Sequence, residues 1–474
     1  MLEPGPNLGS LSLAPGWRWK GGESLESVLY SPAGCGLNCS PASRPHLVNR
    51  GNRIQSKKPC SGAKTVLVIL VTFLLASAIV PTQARAQTFK VLHTFHQANG
   101  ALPYAQLTRD AAGNLYGTTS EGGRGICSNY GCGTAFKLNK NGKQVWLHSF
   151  NGKNGRQPMA GLLSGSAGNL YGTTVEGGDM TCFSQGCGTV FKLDNSGKET
   201  VLHKFSGYPD GEMPEALLVK DPAGNLYGTT YLGGASGGYG TVFQLDTAGK
   251  ETILHSFAGP PDGGGDGAYP YVGVIRDAAG NLYGVTAGGG AYCCGVVYKV
   301  DTTGSETLLY SFTGGSDGGG PDSALVMDKA GNLYGTTSSG GNSECGGTGC
   351  GVVFELSPQA GGDWTETTLY TFCSQTNCAD GEEPGGGLVR DSAGNLYGTT
   401  YFGGTYDDGV IFKVNTAGNE RVLHTFTGGA DGADPAAGLI MDNAGKLYGT
   451  TELGADTKCA SDRQGCGVVF ELTP

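Results

Sequence analysis

Apolar residues in this chain fall in short runs that never hold a helical period for long. From Gln87 onward the runs are rich in β-branched and aromatic residues and are bounded by Gly, Asp, Asn and Pro. Such runs read as β-strands separated by turns. One of them, Gly-Asn-Leu-Tyr-Gly-Thr-Thr, first appears at Gly113–Thr119. It returns at Gly168, Gly224, Gly280, Gly331, Gly394 and Gly445, with Val285 for the first Thr and Lys446 for the Asn in two imperfect copies. Its tyrosines, at 116, 171, 227, 283, 334, 397 and 448, lie 51 to 63 residues apart. A period of that size marks a repeat architecture.

Each repeat holds four strand-like segments, a to d. Segment a ends in Leu-Val-Arg-Asp or similar (Gln106–Asp110, Ala216–Asp221, Gly387–Asp391), and b is the tyrosine motif. Segment c is Gly-Val-Val-Phe-Lys-Leu or similar, beginning at Gly133, Gly188, Gly240, Gly295, Gly351, Gly409 and Gly467. Segment d is Leu-His-Ser-Phe or similar, beginning at Leu92, Leu147, Leu202, Leu254, Leu309, Leu369 and Leu423. Asp-x-x-Gly joins a to b (Asp110…Gly113, Asp277…Gly280) and c to d (Asp194…Gly197, Asp246…Gly249). The Asp opens a tight turn on its own backbone and the Gly supplies the positive φ that closes it. The b–c and d–a connections are longer and variable.

Four antiparallel strands per repeat describe a propeller blade. Segment c is apolar on both faces (Val468 and Phe470 on one, Val469 on the other), as a blade packed between two neighbours requires. The region from Gln87 starts with a d segment, Phe89–Phe95, and finishes with a c segment, Gly467–Leu472. An open array would leave unpaired edges at both ends. The pattern therefore predicts an all-β, seven-bladed propeller over 87–474, closed by the N-terminal strand completing the last blade.

The first 86 residues differ. Residues 1–64 are Pro/Gly/Ser-rich and read as a disordered extension or a mis-assigned start. The apolar run Thr65–Val80 follows Lys57, Lys58 and Lys64 and precedes Ala84-Arg85-Ala86, so 65–86 reads as a secretory signal with a mature start near Gln87. Retention of 65–80 as a membrane anchor is the alternative. The expected location is secreted, periplasmic or cell-surface. From Gln87 the chain carries 22 Lys/Arg and 38 Asp/Glu, a net charge of −16. That acidity argues against nucleic acid and anionic membrane as partners.

The tyrosine motif, the Gly-Val-Val-Phe segments and the Leu-His-Ser-Phe segments resemble the GloVer (Gloeobacter–Verrucomicrobia) tandem repeat of extracytoplasmic bacterial proteins. The resemblance covers nearly all of Phe89–Pro474. It implies location and repeat type and carries no assigned activity. A weaker similarity joins the Asp-x-x-Gly-Asn-Leu-Tyr run to NHL-type propellers.

Twelve Cys follow residue 86: Cys127/Cys132, Cys182/Cys187, Cys345/Cys350 and Cys459/Cys466 in b–c loops, Cys373/Cys378 in a d–a loop, and adjacent Cys293 and Cys294. An even count in an exported chain points to disulfides; for the last pair the alternatives are a strained vicinal ring and two free thiols. His93, His148, His203, His255 and His424 share one position of segment d, replaced by Tyr310 and Tyr370. Repeat symmetry places them in different blades, so they read as structural. The d–a loops pair Asn or Asp with a Pro (Asn99…Pro103 to Asp431…Pro435). Calcium suits such carboxylates, but turn formation accounts for one per loop. No cofactor motif appears.

Loop aromatics with nearby carboxylates (Tyr231, Tyr239, Tyr269, Tyr271, Tyr292, Tyr401, Phe402, Tyr406, Asp407 and Asp408) are the candidate ligand contacts. Stacking and hydrogen bonding there suit a glycan. The leading reading is a monomeric, non-enzymatic binder of a glycan or cell-envelope protein on the b–c and d–a loop face. The alternatives are an enzyme acting on extracellular polysaccharide or lactone with a metal in the channel, and a structural or adhesive surface protein.

Overall fold

The computed structural model describes residues 87–474 except 126, 128–129, 180–181, 183–184, 236–237, 260–264, 457–458 and 460–464. The extension 1–64, the signal 65–86 and the anchor 65–80 lie outside the described residues. Among the described residues no helix is long and apolar enough to cross a membrane.

Seven antiparallel sheets, each ordered a-b-c-d, form the blades of a propeller. The blades are numbered by their a strands, which begin at Thr108, Leu163, Val219, Ile275, Val326, Val389 and Ile440. Blade 1 is a Thr108–Arg109, b Leu115–Thr119, c Thr134–Leu138 and d Gln144–Ser149. Blade 7 takes a Ile440–Met441, b Leu447–Thr451 and c Val468–Thr473. Its d strand is Thr88–Thr94, which runs antiparallel to c with Phe89 opposite Leu472 and Thr94 opposite Val468. The N-terminal strand closes the ring. Blade 5 adds a short strand, Gly319–Pro321, on a b strand lengthened to Leu333–Ser339.

Strand a differs from the five- or six-residue segment the sequence implies. It pairs with b over two residues only, Thr108 with Tyr116 and Arg109 with Leu115 in blade 1. The chain before it turns sideways to meet its neighbours around the axis. Gln106 Nε2 donates to the Leu439 carbonyl across the seam at 3.0 Å. A Cβ at Gly161 would lie 2.4 Å from the Gln106 carbonyl oxygen. Crowding at the axis thus leaves little of a for pairing.

The blades are held together by an aromatic ladder. The Phe after each d strand meets the ring of the next blade's c strand edge-on: Phe95–Phe136 at 5.0 Å, Phe257–Tyr298 at 5.0 Å, Phe372–Phe412 at 4.9 Å. All these rings are fully buried. Edge-to-face pairs contribute about 0.5–1.5 kcal/mol each beyond area burial. The ladder passes through the seam, because Phe95 follows the N-terminal strand. Room for it comes from the Gly of strand b: a Cβ at Gly117 would sit 2.7 Å from the Phe136 ring.

The Tyr of strand b serves the opposite face. Tyr116 Oη donates to Asp110 at 3.0 Å, and the same carboxylate accepts from the Asn114 backbone and side chain at 2.8 and 2.7 Å. Arg109 of blade 1 covers the Tyr448 ring of blade 7 at 5.6 Å, and Arg390 of blade 6 covers Tyr334 of blade 5 at 5.4 Å. The tyrosine motif is therefore a turn anchor and an inter-blade contact.

Candidate functional site

The long loops share the other face. The d–a loop entering a blade bridges to that blade's b–c loop, as Ala101 to Glu121, Ala268 to Gly288 and Ala433 to Leu453. Each d–a loop crosses its neighbour at a Pro. A Cβ at Gly467, which starts strand c of blade 7, would lie 2.6 Å from Pro103 Cδ. The residue before the Pro adopts a left-handed backbone in all seven loops: Leu102, Gln157, Met213, Tyr269, Gly320, Glu383 and Asp434, with φ of 53° to 64°. Six of these are not Gly, a costly conformation that persists only where its surroundings impose it. Hydrogen bonds do so on both sides: Leu102 N–H donates to the Cys466 carbonyl at 3.2 Å, and Ser120 N–H to the Leu102 carbonyl at 3.0 Å.

This kink aims the residue after the Pro at the axis. The seven residues in that place are Tyr104, Met159, Glu215, Tyr271, Asp322, Gly385 and Ala436. Four of them meet across the ring: Tyr271 of blade 4 is within electrostatic reach of Asp322, Tyr104 and Glu215, from blades 5, 1 and 3. Tyr104 shares a hydrogen bond with Tyr401 and feels Glu452 and Asp434. Tyr401 Oη donates to Glu452 Oε2 at 2.6 Å. Gly385 and Ala436 leave one side of the mouth without a projecting side chain.

Burial sets the acid chemistry of this mouth. It pushes Glu215 up to about 8. Burial and the charges of Glu452, Asp408 and Asp407 push Asp434 up to about 8. Burial and Glu382 push Glu383 up to about 7. Asp322 rises well above the carboxylate range through burial and Glu383. Among the described residues no Lys, Arg or His acts on these four acids. Glu215 Oε1 and Asp322 Oδ1 are shut off from solvent without a hydrogen-bond partner among the described residues.

The sequence-predicted aromatics divide. Tyr231, Tyr239, Tyr269 and Tyr271 form one cluster, with Tyr231 stacked on Tyr269 at 5.1 Å and edge-on to Tyr271 at 6.3 Å. Tyr401 packs on Phe402 at 4.6 Å and reaches the mouth through Tyr104 and Glu452. Tyr292 and Tyr406 stay exposed on loop tips. Asp407 accepts from Gly403 N–H at 3.3 Å and Asp408 lies beside Gly428, so both line a loop base. Sequence reading missed Tyr104, Glu215, Asp322, Glu383, Asp434 and Glu452. Their one signal is position: five flank the Pro of a d–a loop, and Glu452 follows Thr-Thr as Tyr231 and Tyr401 do.

Four of the five d-strand histidines lie in separate blades against rim acids: His148 to Glu199 at 3.0 Å, His203 to Asp210 at 3.5 Å, His255 to Asp266 at 2.8 Å and His424 to Asp431 at 3.2 Å. Tyr370 Oη takes the same place on Asp380 at 2.6 Å. These loop acids also cap backbone N–H groups, as Asp266 does for Ala258 and Asp380 for Ser374. Disulfides join Cys127–Cys132, Cys182–Cys187, Cys345–Cys350, Cys373–Cys378 and Cys459–Cys466. The vicinal Cys293–Cys294 ring does not form. Cys293 is a free, exposed thiol while Cys294 is buried.

A family model for the Gloeobacter/Verrucomicrobia repeat matches residues 124–348 and 342–474. The chain belongs to the Gloeobacter/Verrucomicrobia repeat family. Among curated proteins none matches it. This Gloeobacter/Verrucomicrobia repeat protein is similar to several solved structures. The extracellular domain of a B. thetaiotaomicron protein shares 12% identity and a TM-score of 0.48, over 82% of this chain and 42% of that one. A gluconolactonase from Xanthomonas campestris shares 13% identity and a TM-score of 0.37, over 60% of this chain and 78% of that one.

Proposed function

We propose that this is an exported, non-catalytic propeller that binds an uncharged or amino-bearing glycan at the mouth of its channel on the long-loop face. One observation carries the reading: tyrosines and orphaned carboxyl oxygens from separate blades converge there, with no basic group among the described residues to balance the acids. Tyrosine faces stack on sugar rings, and carboxyls exchange hydrogen bonds with hydroxyls. A mouth whose acids are held protonated near neutral pH by burial offers hydroxyl donors and acceptors to a neutral sugar, and no described cation to pair a uronate or a phosphate. Export is supported by the apolar run before Gln87 and by the disulfides among the described residues, the chemistry of an oxidising compartment.

The test is calorimetric titration with neutral, amino and uronic oligosaccharides, with calcium and with chelator. Neutral or amino sugars are expected to bind and uronates to be refused. Tyr271→Ala should weaken binding at least about tenfold, roughly 1.4 kcal/mol, while Tyr292→Ala changes nothing. Binding that ignores both Tyr271→Ala and Glu215→Gln would remove the mouth as the site. Loss of binding in chelator would bring an ion into it, and new reducing ends would make the protein an enzyme.

A further inference from the structure

Blade 5 departs from the repeat in one place. Four blades carry a cysteine pair in the b–c loop, but only blade 5 has a second pair, Cys373–Cys378, in the loop leaving its d strand. The ladder brings the two pairs together. Val352 at the start of strand c faces Thr371 at the end of d, and Phe372 N–H donates to the Gly351 carbonyl at 3.0 Å. Cys350 precedes this junction and Cys373 follows it, so they stand side by side. The sulfurs of Cys345, Cys350, Cys373 and Cys378 and a carboxyl oxygen of Glu382 all lie within 4.8 Å of one another. No other two cysteine pairs among the described residues are grouped this way.

Glu382 supplies a second, independent observation. Its Oε2 lies 3.0 Å from Cys345 Sγ. A disulfide sulfur has no proton to donate, so the oxidised bridge gives that carboxylate nothing. Only a reduced Cys345 thiol gives that oxygen a proton to accept.

We propose that in the reduced chain Cys345, Cys350, Cys373 and Cys378 form a tetrathiolate site for a soft divalent metal ion, zinc foremost. Two equivalents of a dithiol reduce the two disulfides; each takes up two electrons and two protons and leaves one oxidised dithiol. The four resulting thiols then bind one Zn²⁺ and release four protons. Zinc–sulfur bonds of about 2.3 Å place tetrahedral sulfurs roughly 3.8 Å apart, within side-chain rotation of the present cluster. Four soft ligands with no open position describe a structural site. The metal would clamp the two loops that the paired disulfides staple separately.

The experiment uses the full chain, reduced with dithiothreitol under native conditions, freed of reductant without air and titrated with Co²⁺. One cobalt per chain is expected, with the intense visible bands of tetrahedral thiolate coordination and full displacement by Zn²⁺. The double variant Cys373→Ser/Cys378→Ser should lose affinity by more than about 100-fold, beyond what loss of an outer partner costs. Cys182→Ser/Cys187→Ser should keep the wild-type spectrum. Near-UV circular dichroism is read throughout, because the site needs the blade 5 ladder intact. A folded reduced chain without the cobalt bands, the same bands in Cys373→Ser/Cys378→Ser, or collapse of the fold on reduction would each overturn the proposal and leave two independent staples.

Discussion

Tyr298 shows how much one atom matters inside this ring. In six blades the strand c ring of the aromatic ladder is Phe; in blade 4 it is Tyr298. Its hydroxyl is buried without a partner among the described residues, 2.4 Å from where a Cβ on Gly284 would stand. An unmade buried hydrogen bond costs about 1–3 kcal/mol. Tyr298→Phe should therefore stabilise the protein by about 1 kcal/mol and raise Tm, whereas Phe354→Tyr at the matching place in blade 5 should lower it. An unchanged or lower Tm for Tyr298→Phe would mean that the hydroxyl has found a partner. The mouth is also a residue-scale matter, and there the sequence is opaque. Its Pro and Asp recur and are easily read, but the residue after each Pro changes from Tyr to Met, Glu, Asp, Gly or Ala. No motif links Tyr104 to Tyr271. Only closure of the ring brings them within reach of each other, so a reading of loop aromatics found Tyr231, Tyr271 and Tyr401 and passed over the acids between them.

At the scale of the element, blades 3 to 6 each present a Glu at or near the start of the d strand (Glu251, Glu306, Glu366 and Glu420) to the rim acid of the blade before (Asp210, Asp266, Asp317 and Asp380). Burial, then the hydrogen bond that the Glu251 carboxyl donates to Asp210, raise Glu251. Burial raises Glu306 to about 7, with His255 opposing it and Asp266 adding to it, and burial, then the charge of Asp380, raise Glu420 to about 7. Glu366 also rises to about 7, chiefly through burial. Carboxyls raised in the folded state bind protons more tightly there than in the unfolded chain. Their contribution to stability is complete below about pH 4.5, the unfolded value, and is lost as pH rises through 7. The turn acids act the other way. Asp110 and Asp391 are held below 3.8, by hydrogen bonds from Asn and Tyr that outweigh their burial. That stability is present above about pH 4 and lost as pH falls. Thermal unfolding should therefore show the highest Tm near pH 5 and a decline toward pH 8. Glu306→Gln with Glu420→Gln should flatten the decline. A Tm that climbs from pH 5 to 8 would contradict the assignment. The strands that make these clamps were legible because c and d are long enough to show their pattern. Strand a was read too long, because its polar and Gly-rich sequence does not record where pairing with b stops.

The whole molecule was the most legible level. A fixed period gave the blades, and a leading d segment with a trailing c segment gave the seam, because unpaired edges are costly. The seam is also where the fold is most exposed to one change. The strand Thr88–Thr94 covers the full edge of Val468–Thr473 and brings Phe95 to the ladder. Phe89 adds contacts to His424 at 3.8 Å and to Phe470 at 5.4 Å. Removing a buried Phe alone costs about 3–5 kcal/mol, a large part of the roughly 5–15 kcal/mol that holds a domain folded. A chain starting at Gln97 loses that ring and bares a strand edge at once. It should show a lower Tm and concentration-dependent oligomers by light scattering, formed through the open edge. A synthetic Thr88–Phe95 peptide should fill the gap, restoring the monomer and much of the Tm, since donated strands pair by main-chain hydrogen bonds. Peptide with Phe89→Asp and Phe95→Asp keeps those hydrogen bonds but not the rings, and should fail. A truncated chain that stays monomeric at full Tm would show that the last blade is stable without its outer strand, and that the ring is held by the inner strands alone.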